Sequence, residues 1–347
     1  MRFAVFYLPV PLSNIPNEFD TSMREHWNRD TDTLMLSNEQ AESLLNSYYP
    51  LVKVLRVEPT KGGLANSSYC LHTEHHGLLH LRICVRDPSA AEKEYRLIQL
   101  MQGNVATPKP IHFSTVNPVD GYPFLILSWV EGTRLESIVG QLRPSDIDSL
   151  GESLGGTLAL IHRFQFDKFG FFNDHLEIPS AMEMGGKGLL RYAEECLLDN
   201  LGAERLGQPL TEKILEFIKD QSPLLDEWKG RPCLTHSDFN GSNILVKKEG
   251  ASWEVAAVID WEFAFSGTPF FDFGNLLRAP FGEIPGMEAA VERGYKNAGG
   301  ELPPEWRKIS KLTDLTAWLE FLTRRNAGIN LISDCKTQIC KTMGEWV

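Results

Sequence analysis

The chain has 347 residues, of which 42% are hydrophobic, so it can build one large bilobal unit or two domains with sizeable cores. Its 46 acidic residues outnumber the 34 basic ones, and the net charge of -12 argues against nonspecific nucleic-acid binding, which relies on Lys and Arg. The same charge would steer a cationic substrate, or it is ordinary solubilising surface charge.

The six cysteines are scattered without a CxxC pair, and no apolar run reaches the roughly twenty residues of a membrane-spanning helix. The apolar run at 3–10 is short and lacks a clear cleavage site after it, so we interpret it as an N-terminal strand or arm. We therefore expect a cytoplasmic protein with reduced thiols and with neither a nucleic-acid nor a membrane partner. The function of residues 1–35 and the oligomeric state stay open.

The first elements are a helix and a hairpin. Apolar residues at helical spacing predict a helix over 38–49, capped by Ser37 or Asn38. A strand near 52–57, a glycine-containing turn and a second apolar segment then indicate a hairpin. Backbone amides of such a turn can approach phosphates, although an ordinary hairpin turn has the same composition. The candidate nucleotide contacts in this turn are Gly62, Gly63, Asn66 and Ser67.

A cation and a carboxylate follow on the next strand and helix. Alternating apolar residues at 79–85 predict a half-buried strand whose polar face carries Arg82. In the helix predicted over 90–102, Glu94 shares a face with the apolar residues, whereas Glu92 does not. Glu94 is therefore the carboxylate that we expect beside Arg82. The alternative is that the two residues make unrelated surface pairs.

The second half of the chain reads mainly as helices. A short strand at 124–127 leads into residues 128–132, and a long amphipathic helix is predicted to end at His162, which we interpret as structural. An insert at 165–230 contains two helix-like stretches, near 188–201 and 211–228. The region from about residue 287 onward predicts further helices, interrupted by Pro303 and Pro304.

The most informative segment is HSDFNGSN, which runs from His236 to Asn243, followed by Asp260 at the end of an apolar run. Phosphoryl transfer needs a carboxylate that orients the attacking hydroxyl, and separate oxygen ligands that hold Mg²⁺ against the nucleotide phosphates. Carboxylate and amide oxygens are the ligands that Mg²⁺ accepts. Asp238 is thus the candidate base, and Asn243 and Asp260 are the candidate metal ligands.

Together, HSDFNGSNILV and VIDWEFAFSGTPFFDFG resemble the aminoglycoside phosphotransferase and choline kinase group, small-molecule kinases with a protein-kinase-like fold. The resemblance implies an α+β, bilobal structure with a small antiparallel-sheet N-lobe and a larger, mainly helical C-lobe. Residues 1–127 would form the nucleotide-binding lobe with its N-terminal arm, and 128–132 the hinge. Residues 133–347 would form the helical lobe with the catalytic loop and the acceptor site.

The resemblance also implies roles for the loop residues. Asp238 would be catalytic, Asn243 and Asp260 would bind metal, and Asp272 would support the catalytic loop from beneath. His236 would hold backbone groups of the loop. The second position of the loop is commonly Gly in the family and is Ser here, a departure that we expect to be tolerated because the side chain need not enter the site.

On the nucleotide side, the family carries Lys or Arg where this chain has Arg82, and the cation holds phosphates while a helix carboxylate, here Glu94, holds the cation. Backbone groups of the hinge, at Ser128 and Val130, would read the edge of the base. The implied co-substrates are Mg²⁺ with ATP or GTP, and the sequence does not separate these two nucleotides.

On the acceptor side, the insert commonly forms a wall of the pocket in such kinases. The candidate acceptor contacts are Glu194, Glu195, Asp199 and Glu262, although the three insert residues could equally form a solvated helix surface.

The expected reaction moves the γ-phosphate to a hydroxyl of a small molecule. An aminoglycoside-type antibiotic is one candidate acceptor, and a metabolite of the methylthioribose, choline or homoserine type is another. A catalytically silent nucleotide-binding regulator of the same fold is the alternative from a different class. A protein kinase is disfavoured because IDWE, at 259–262, stands where protein kinases carry their metal-binding DFG.

Overall fold

A computed structural model describes residues 35–60 and 66–346 of the chain. The N-terminal lobe consists of β1 (Val54–Pro59), β2 (Ser67–Thr73), β3 (Gly77–Ile83), β4 (Pro110–Ser114), β5 (Phe124–Ser128), α1 (Asn38–Leu45) and α2 (Ala90–Met101). Its five strands form one antiparallel sheet in the order β1-β2-β3-β5-β4. This lobe contains the hairpin, the strand and the two helices that the sequence predicted.

Helix α1 starts and stops where side chains compete for backbone groups. The Ser37 hydroxyl accepts a hydrogen bond from the Gln40 amide at 3.2 Å, and the Gln40 side chain accepts one from the Ser37 amide at 2.9 Å. The helix ends at Leu45 rather than at residue 49. One reason is that the Asn46 side chain accepts a hydrogen bond from the Leu51 amide at 3.0 Å, which fixes a turn in place of another helical turn.

Strand β3 has the alternation expected of a half-buried strand. Leu79, Leu81 and Ile83 are buried against the core beneath the sheet. Between them, His80 and Arg82 lie on the opposite face, where they line a cavity between the two lobes. Although it is on the polar face, Arg82 is only 7% exposed, so its charge is held within the protein.

The C-terminal lobe is mainly helical, with two small antiparallel sheets. Its helices are α3 (Leu135–Ile138), α4 (Pro144–His162), α5 (Gly185–Glu194), α6 (Gly202–Leu206), α7 (Gln208–Gln221), α8 (Pro269–Leu276), α9 (Met287–Asn297), α10 (Trp306–Phe321) and α11 (Ile329–Gly344). Its strands are β6 (Thr133–Arg134), β7 (Cys233–Thr235), β8 (Ile244–Glu249), β9 (Ser252–Val258) and β10 (Phe265–Gly267). The sheets are ordered β6-β8-β9 and β10-β7.

The architecture confirms the expected α+β, bilobal class, while the division at residues 128–132 stays a prediction. In the insert, the first predicted helix is α5 followed by a π-helical turn over Glu195–Asp199. The second is α7, which gives way to 3₁₀ turns at Ser222–Glu227, where Pro223 can donate no backbone hydrogen bond. Within 35–60 and 66–346, none of the helices has the length and apolarity needed to span a membrane.

The C-terminal lobe contains two hydrophobic cores. The first lies beneath the segment between β7 and β8 and joins α4, α8 and α9 to strands β8 and β9; it includes Leu150, Leu154, Leu158, Ile244, Val258, Phe273 and Val291. The second joins α5 and α7 of the insert to α10 and α11; it includes Leu189, Tyr192, Ile214, Ile218, Leu315, Leu331 and Ile339. The insert is therefore packed mostly on the last two helices.

Helices α4 and α9 approach each other at glycines. A Cβ added to Gly155 would overlap the Val291 carbonyl oxygen and lie 2.7 Å from the Tyr295 amide nitrogen. Gly294 meets the backbone of α4 at Glu152 in the same way. The next residue along α4, Gly156, has only the Gly294 oxygen within 4 Å, at 3.9 Å. The close approach therefore depends on Gly155 and not on its neighbour.

Replacement of Gly155 by Ala should lower the free energy of unfolding by about 1–3 kcal/mol, because a methyl group would be forced against the backbone of α9. The matched control is Gly156→Ala, which should raise stability by up to about 1 kcal/mol since it only improves helix propensity. Urea unfolding followed by circular dichroism measures both. Equal effects of the two substitutions would contradict the proposed packing.

Candidate active site

The segment between β7 and β8 is held from below by one buried carboxylate. Asp272, on α8, is fully buried, and its two oxygens accept hydrogen bonds from the His236 amide at 2.9 Å and the Ser237 amide at 2.8 Å. The His162 ring lies 3.1 Å from the same carboxylate through Nε2, and 3.1 Å from the Tyr295 hydroxyl through Nδ1. Both imidazole nitrogens of His162 thus have structural partners.

His236 links the same segment to the strand that leads to Asp260. Its Nδ1 accepts a hydrogen bond from the Asp238 amide at 3.2 Å, and its Nε2 lies 3.0 Å from the Ile259 carbonyl oxygen. An amide can only donate and a carbonyl can only accept, so both contacts are satisfied by the neutral ring with its proton on Nε2. His236 therefore holds backbone groups and has no nitrogen left for proton transfer.

Asp238 is half-buried, and its carboxylate is oriented by two amides. Asn240 donates to Oδ1 at 2.6 Å, and Asn243 donates to Oδ2 at 2.8 Å and to the Asp238 carbonyl oxygen at 3.0 Å. Burial raises the pKa of the Asp238 carboxyl above its ordinary value and the nearby Asp260 charge adds to the rise, while Arg278 and the hydrogen bond from Asn243 oppose it. Each carboxylate oxygen keeps a lone pair that can accept a further proton donor.

Asn243 and Asp260 are brought side by side by the β8–β9 pair. The Ile259 amide donates to the Asn243 carbonyl oxygen at 2.9 Å, directly after the pairing of Ile244 with Val258. The Asn243 amide nitrogen points at Asp238, and its Oδ1 accepts a long hydrogen bond from the Ser242 hydroxyl at 3.4 Å, so one lone pair of Oδ1 is left for a cation. Asn243 and Asp260 line the same cavity, so one amide oxygen and one carboxylate, a donor set that fits Mg²⁺, share one space.

Arg82 is surrounded by three carboxylates. Its guanidinium lies 2.7 Å from Asp260 Oδ1, 3.3 Å from Glu94 Oε2 and 3.5 Å from Glu262 Oε2. The expected pair of Arg82 and Glu94 is therefore present, and two further carboxylates share the cation. Burial raises the pKa of Glu94 to about 7, whereas Arg82 outweighs burial at Asp260 and holds its pKa below the ordinary value.

The cavity between the lobes has a volume of about 300 Å³. Its lining includes the charged and polar residues Arg82, Glu94, Asn243 and Asp260. It also includes Ser128, the last residue of β5, and the two residues that follow, Trp129 and Val130. Its remaining lining residues come mainly from the sheet of the N-terminal lobe and include Ser68, Cys70, His80 and Leu127. A cavity of this size falls within the range of small-ligand sites.

Ser128 and Val130 line this cavity, where nucleotide contacts were predicted. Of the residues predicted in the glycine turn, those that the structure describes do not line it. Gly62 and Gly63 lie outside the described residues. Asn66 is buried, and its side chain bonds to Glu262 at 3.0 Å and accepts from the Arg86 amide at 3.2 Å. Ser67 is buried as the first residue of β2. Neither Asn66 nor Ser67 lines the cavity between the lobes.

Glu262 is buried and paired with the N-terminal lobe, and its role as an acceptor contact stays a prediction. Glu262 is only 5% exposed, and its side chain is held by Asn66, Arg82 and Arg86, all from the N-terminal lobe. Sequence reasoning missed Arg86 as a participant. Its position after an apolar strand and four residues beyond Arg82 was visible, but a partner that lies 176 residues away was not.

The insert residues Glu194, Glu195 and Asp199 do not lie beside the candidate catalytic segment, residues 236–243. Glu194 and Asp199 are exposed and Glu195 is half-buried, on the end of α5 and the turn that follows it. This segment packs on α7, α10 and the turns after α7. Within the described chain, none of the three is hydrogen-bonded to residues 236–243. Their role as acceptor contacts stays a prediction.

The letters DFG do occur in the chain, as Asp272, Phe273 and Gly274. They lie inside α8, where Phe273 is in the core and Asp272 accepts the two amides of the catalytic segment. The position that lines the cavity with Asn243 belongs to Asp260 of IDWE. Asp272 and Phe273 of this DFG triplet therefore have structural contacts, with the backbone at 236–237 and with the core.

The fold and the arrangement of this cavity define a protein-kinase-like phosphotransferase architecture. Residues 56–312 match the model of the phosphotransferase enzyme family, which is more than half of the 347 residues. The chain belongs to this family. Membership supports a small-molecule phosphotransferase activity.

Two curated proteins illustrate the relationship. Acyl-CoA dehydrogenase family member 10 of Mus musculus is 27% identical over 191 residues, which is 53% of this chain and 16% of the mouse protein. A protein of Lactiplantibacillus plantarum named "Probable ketoamine kinase" is 24% identical over 254 residues, 69% of this chain and 84% of that protein. The chain thus spans about a sixth of the mouse relative and most of the bacterial one.

Two solved structures show the same fold. The GDP and kanamycin complex of APH(2")-IIia has a TM-score of 0.66 at 17% identity, with 88% of this chain and 99% of that chain covered. A thermostable mutant of aminoglycoside phosphotransferase APH(4)-Ia, in complex with AMP-PNP and hygromycin B, has a TM-score of 0.63 at 14% identity, with 89% and 99% covered. At these identities the likeness establishes the fold.

Ser237 occupies a backbone conformation that favours glycine, with φ at +70°. The two amides that Asp272 accepts flank His236, and the left-handed conformation of Ser237 turns the chain after them, so that the Asp238 amide can donate to His236 Nδ1. A non-glycine residue in the left-handed region costs roughly 1–2 kcal/mol. The family preference for Gly at this position thus has a backbone reason, beyond the space available to the side chain.

Replacement of Ser237 by Gly should raise the free energy of unfolding by about 0.5–1 kcal/mol, because the relief of backbone strain exceeds the added flexibility of glycine. Ser237→Ala is the control, since it removes the hydroxyl but keeps the strained conformation, and it should give no gain. Thermal unfolding of the three proteins decides between the two effects. An equal gain in the Ala variant would show that the side chain, rather than the backbone, is responsible.

Proposed function

We propose that the chain transfers the γ-phosphate of a nucleoside triphosphate to a hydroxyl group of a small molecule. The observation that carries this proposal is the position of Asn243. Its amide nitrogen orients the Asp238 carboxylate at 2.8 Å, while its oxygen is left for a cation in the cavity that Asp260 also lines. A proton acceptor and two metal ligands are therefore fixed within one short segment and the strand beside it.

In the proposed reaction, Asp238 accepts the proton of the acceptor hydroxyl as the hydroxyl oxygen forms a bond to the γ-phosphorus. The bond between that phosphorus and the β–γ bridging oxygen breaks, and the nucleoside diphosphate leaves. Asn240 and Asn243 keep the carboxylate aimed at the hydroxyl, which is a contribution of positioning. Asp238 needs no strong basicity, since the proton can leave late in a loose transition state.

On the nucleotide side, Arg82 would move from Asp260 toward the phosphates, with Glu94 behind it. Asn243 Oδ1 and Asp260 would hold Mg²⁺, which when bound neutralises phosphate charge. Backbone groups near Ser128 and Val130 would meet the base. Solved relatives carry GDP in one case and AMP-PNP in another, so ATP and GTP both stay candidates here.

The acceptor class is proposed more broadly than the reaction. Two relatives of the same fold were solved with the aminoglycosides kanamycin and hygromycin B, which keeps an antibiotic acceptor in view. The bacterial relative is named for ketoamines, which adds a modified amine to the metabolite candidates. All of these acceptors carry hydroxyl groups and most are cationic, and the net charge of -12 would attract them.

One experiment tests the proposed function directly. The protein is incubated with Mg²⁺, either ATP or GTP, and pools of hydroxylated metabolites, ketoamines and aminoglycosides, and the products are screened by mass spectrometry for an added phosphate. A phosphorylated product that requires Asp238 supports the enzyme. Tight nucleotide binding without turnover of any pool, and without slow hydrolysis of the nucleotide, would favour the silent regulator.

Asp238→Ala should lower turnover by about 10²–10⁴-fold, because the carboxylate that orients and deprotonates the hydroxyl is removed. Nucleotide affinity should change little, since Asp238 is not among the residues that line the nucleotide cavity. Turnover is measured with the acceptor found in the screen, or as slow nucleotide hydrolysis, and affinity by calorimetry. Parallel losses in turnover and nucleotide affinity would show that Asp238 has been assigned the wrong role.

Asp260→Ala should abolish the Mg²⁺ dependence of nucleotide binding, because the charged one of the two metal ligands is lost. Nucleotide titrations with Mg²⁺ and with EDTA should give different affinities for the unmodified protein and the same affinity for the variant. If the variant still binds nucleotide more tightly with Mg²⁺ than with EDTA, Asp260 is not the metal ligand.

A further inference from the structure

Glu262 joins the two lobes through a buried polar network. Its Oε2 accepts a hydrogen bond from Asn66 at 3.0 Å, and its Oε1 accepts one from Arg86 at 3.3 Å. Its main-chain oxygen accepts one from the Lys93 ammonium of α2 at 2.6 Å. Three separate segments of the N-terminal lobe therefore converge on one residue that follows Asp260 by two positions.

Three residues of this network form a closed triangle of hydrogen bonds. Asn66 accepts a hydrogen bond from the Arg86 amide at 3.2 Å, so Asn66, Arg86 and Glu262 each contact the other two. The Arg86 guanidinium also lies over the Phe263 ring, 4.6 Å from its centroid. With side-chain exposures of 10% for Arg86 and 5% for Glu262, the ion pair is shielded from solvent.

Direct contact with a ligand of the nucleotide cavity does not explain Glu262. Asp260 lines that cavity, whereas Glu262 and Arg86 do not. Both oxygens of the Glu262 carboxylate are directed at side chains of the N-terminal lobe. Burial raises the pKa of Glu262, and the Asp260 charge adds to this, while Arg86 and Arg82 oppose it. The neighbouring cations thus offset part of the effect of burial on this carboxylate.

The network holds two segments of the N-terminal lobe against the segment that carries Asp260. Asn66 directly precedes β2, which contributes Ser68 and Cys70 to the cavity, and Arg86 lies just beyond β3, the strand that carries Arg82. A bond from Glu262 to each of them sets where the start of β2 and the end of β3 stand relative to Asp260.

We infer that Glu262 is a positioning residue for the nucleotide: it fastens the start of β2 at Asn66, and the end of β3 at Arg86, to the segment that carries Asp260. This inference rests on the proposed function, because it assumes that the cavity takes a nucleoside triphosphate. It gives Glu262 no contact with substrate, metal or acceptor. Its effect is transmitted through Asn66 and Arg86, and through its 3.5 Å contact with the Arg82 guanidinium.

The test is the affinity for Mg²⁺-ATP and Mg²⁺-GTP, measured by calorimetry, which requires no knowledge of the acceptor. Glu262→Ala should weaken binding of the preferred nucleotide by about tenfold, a size typical of coupling within a buried polar network. The nucleotide affinity of Glu262→Gln should lie between those of the unmodified protein and Glu262→Ala, because the glutamine amide oxygen can still accept a hydrogen bond from Asn66 or Arg86. The matched control is Glu254→Ala, an exposed glutamate on β9, which should bind as the unmodified protein does.

Mn²⁺ affinity, measured without nucleotide by electron paramagnetic resonance, separates positioning from metal ligation. It should be unchanged in Glu262→Gln, and a loss there would make Glu262 a metal ligand and overturn the inference. A double-mutant cycle of Asn66→Ala with Glu262→Ala should be non-additive for nucleotide affinity. Additive effects would mean that the two residues act separately, which also overturns it.

The remaining outcomes are distinct. If Glu262→Ala fails to fold, Asn66→Ala and Arg86→Met reach the same network from the other lobe, and both must weaken nucleotide binding. Unchanged binding in those two variants would overturn the inference. If the unmodified protein binds neither nucleotide, the proposed function itself fails, whereas binding that is equal in the unmodified protein and Glu262→Ala overturns only the role of Glu262.

Discussion

The buried carboxylate of Asp272 fixes the backbone of residues 236–243, the candidate catalytic segment. It accepts the amides of His236 and Ser237 together, which fixes the backbone on both sides of His236. The left-handed conformation of Ser237 then turns the chain toward the Asp238 amide. Once the backbone is set, the His236 ring reaches the Asp238 amide on one side and the Ile259 carbonyl on the other. The geometry around Asp238 is therefore inherited from α8.

A second constraint is electrostatic. Glu94, Asp260 and Glu262 surround the Arg82 guanidinium, with Arg86 and Lys93 nearby, so the buried charges come close to balance without any ligand. Such charges are tolerated in the interior only when they are paired. In the proposed function, a nucleotide and its metal would add negative phosphate and a divalent cation to the same place. Arg82 would then pair with phosphate and Asp260 with the divalent cation, so the added charges would also be paired.

Much of this arrangement was accessible from sequence, because it depends on local patterns. Alternation placed Arg82 on the cleft face of β3, helical spacing selected Glu94 over Glu92, and HSDFNGSN grouped Asp238 with Asn243. The contacts that were missed join distant parts of the chain. Glu262 meets Asn66 across 196 positions, and Arg82 meets Asp260 across 178. The left-handed backbone at Ser237 was also hidden, because serine gives no sign of the conformation that Asp272 imposes on it.

The two cores of the C-terminal lobe separate the support of residues 236–243 from the support of the insert. The core that includes α4, α8 and α9 supports Asp272 and hence the segment at 236–243. The insert helices α5 and α7 are packed instead on α10 and α11, in the other core. Because contacts within one core transmit packing changes more strongly than contacts across a boundary, we expect substitutions on the insert to disturb Asp238 less than substitutions in the first core do. Helix α10 connects the two cores, since its Trp306 and Ile309 pack in the first and its Leu315 packs in the second. The Arg278–Asp314 ion pair at 2.6 Å adds a link between α10 and the residues that follow α8.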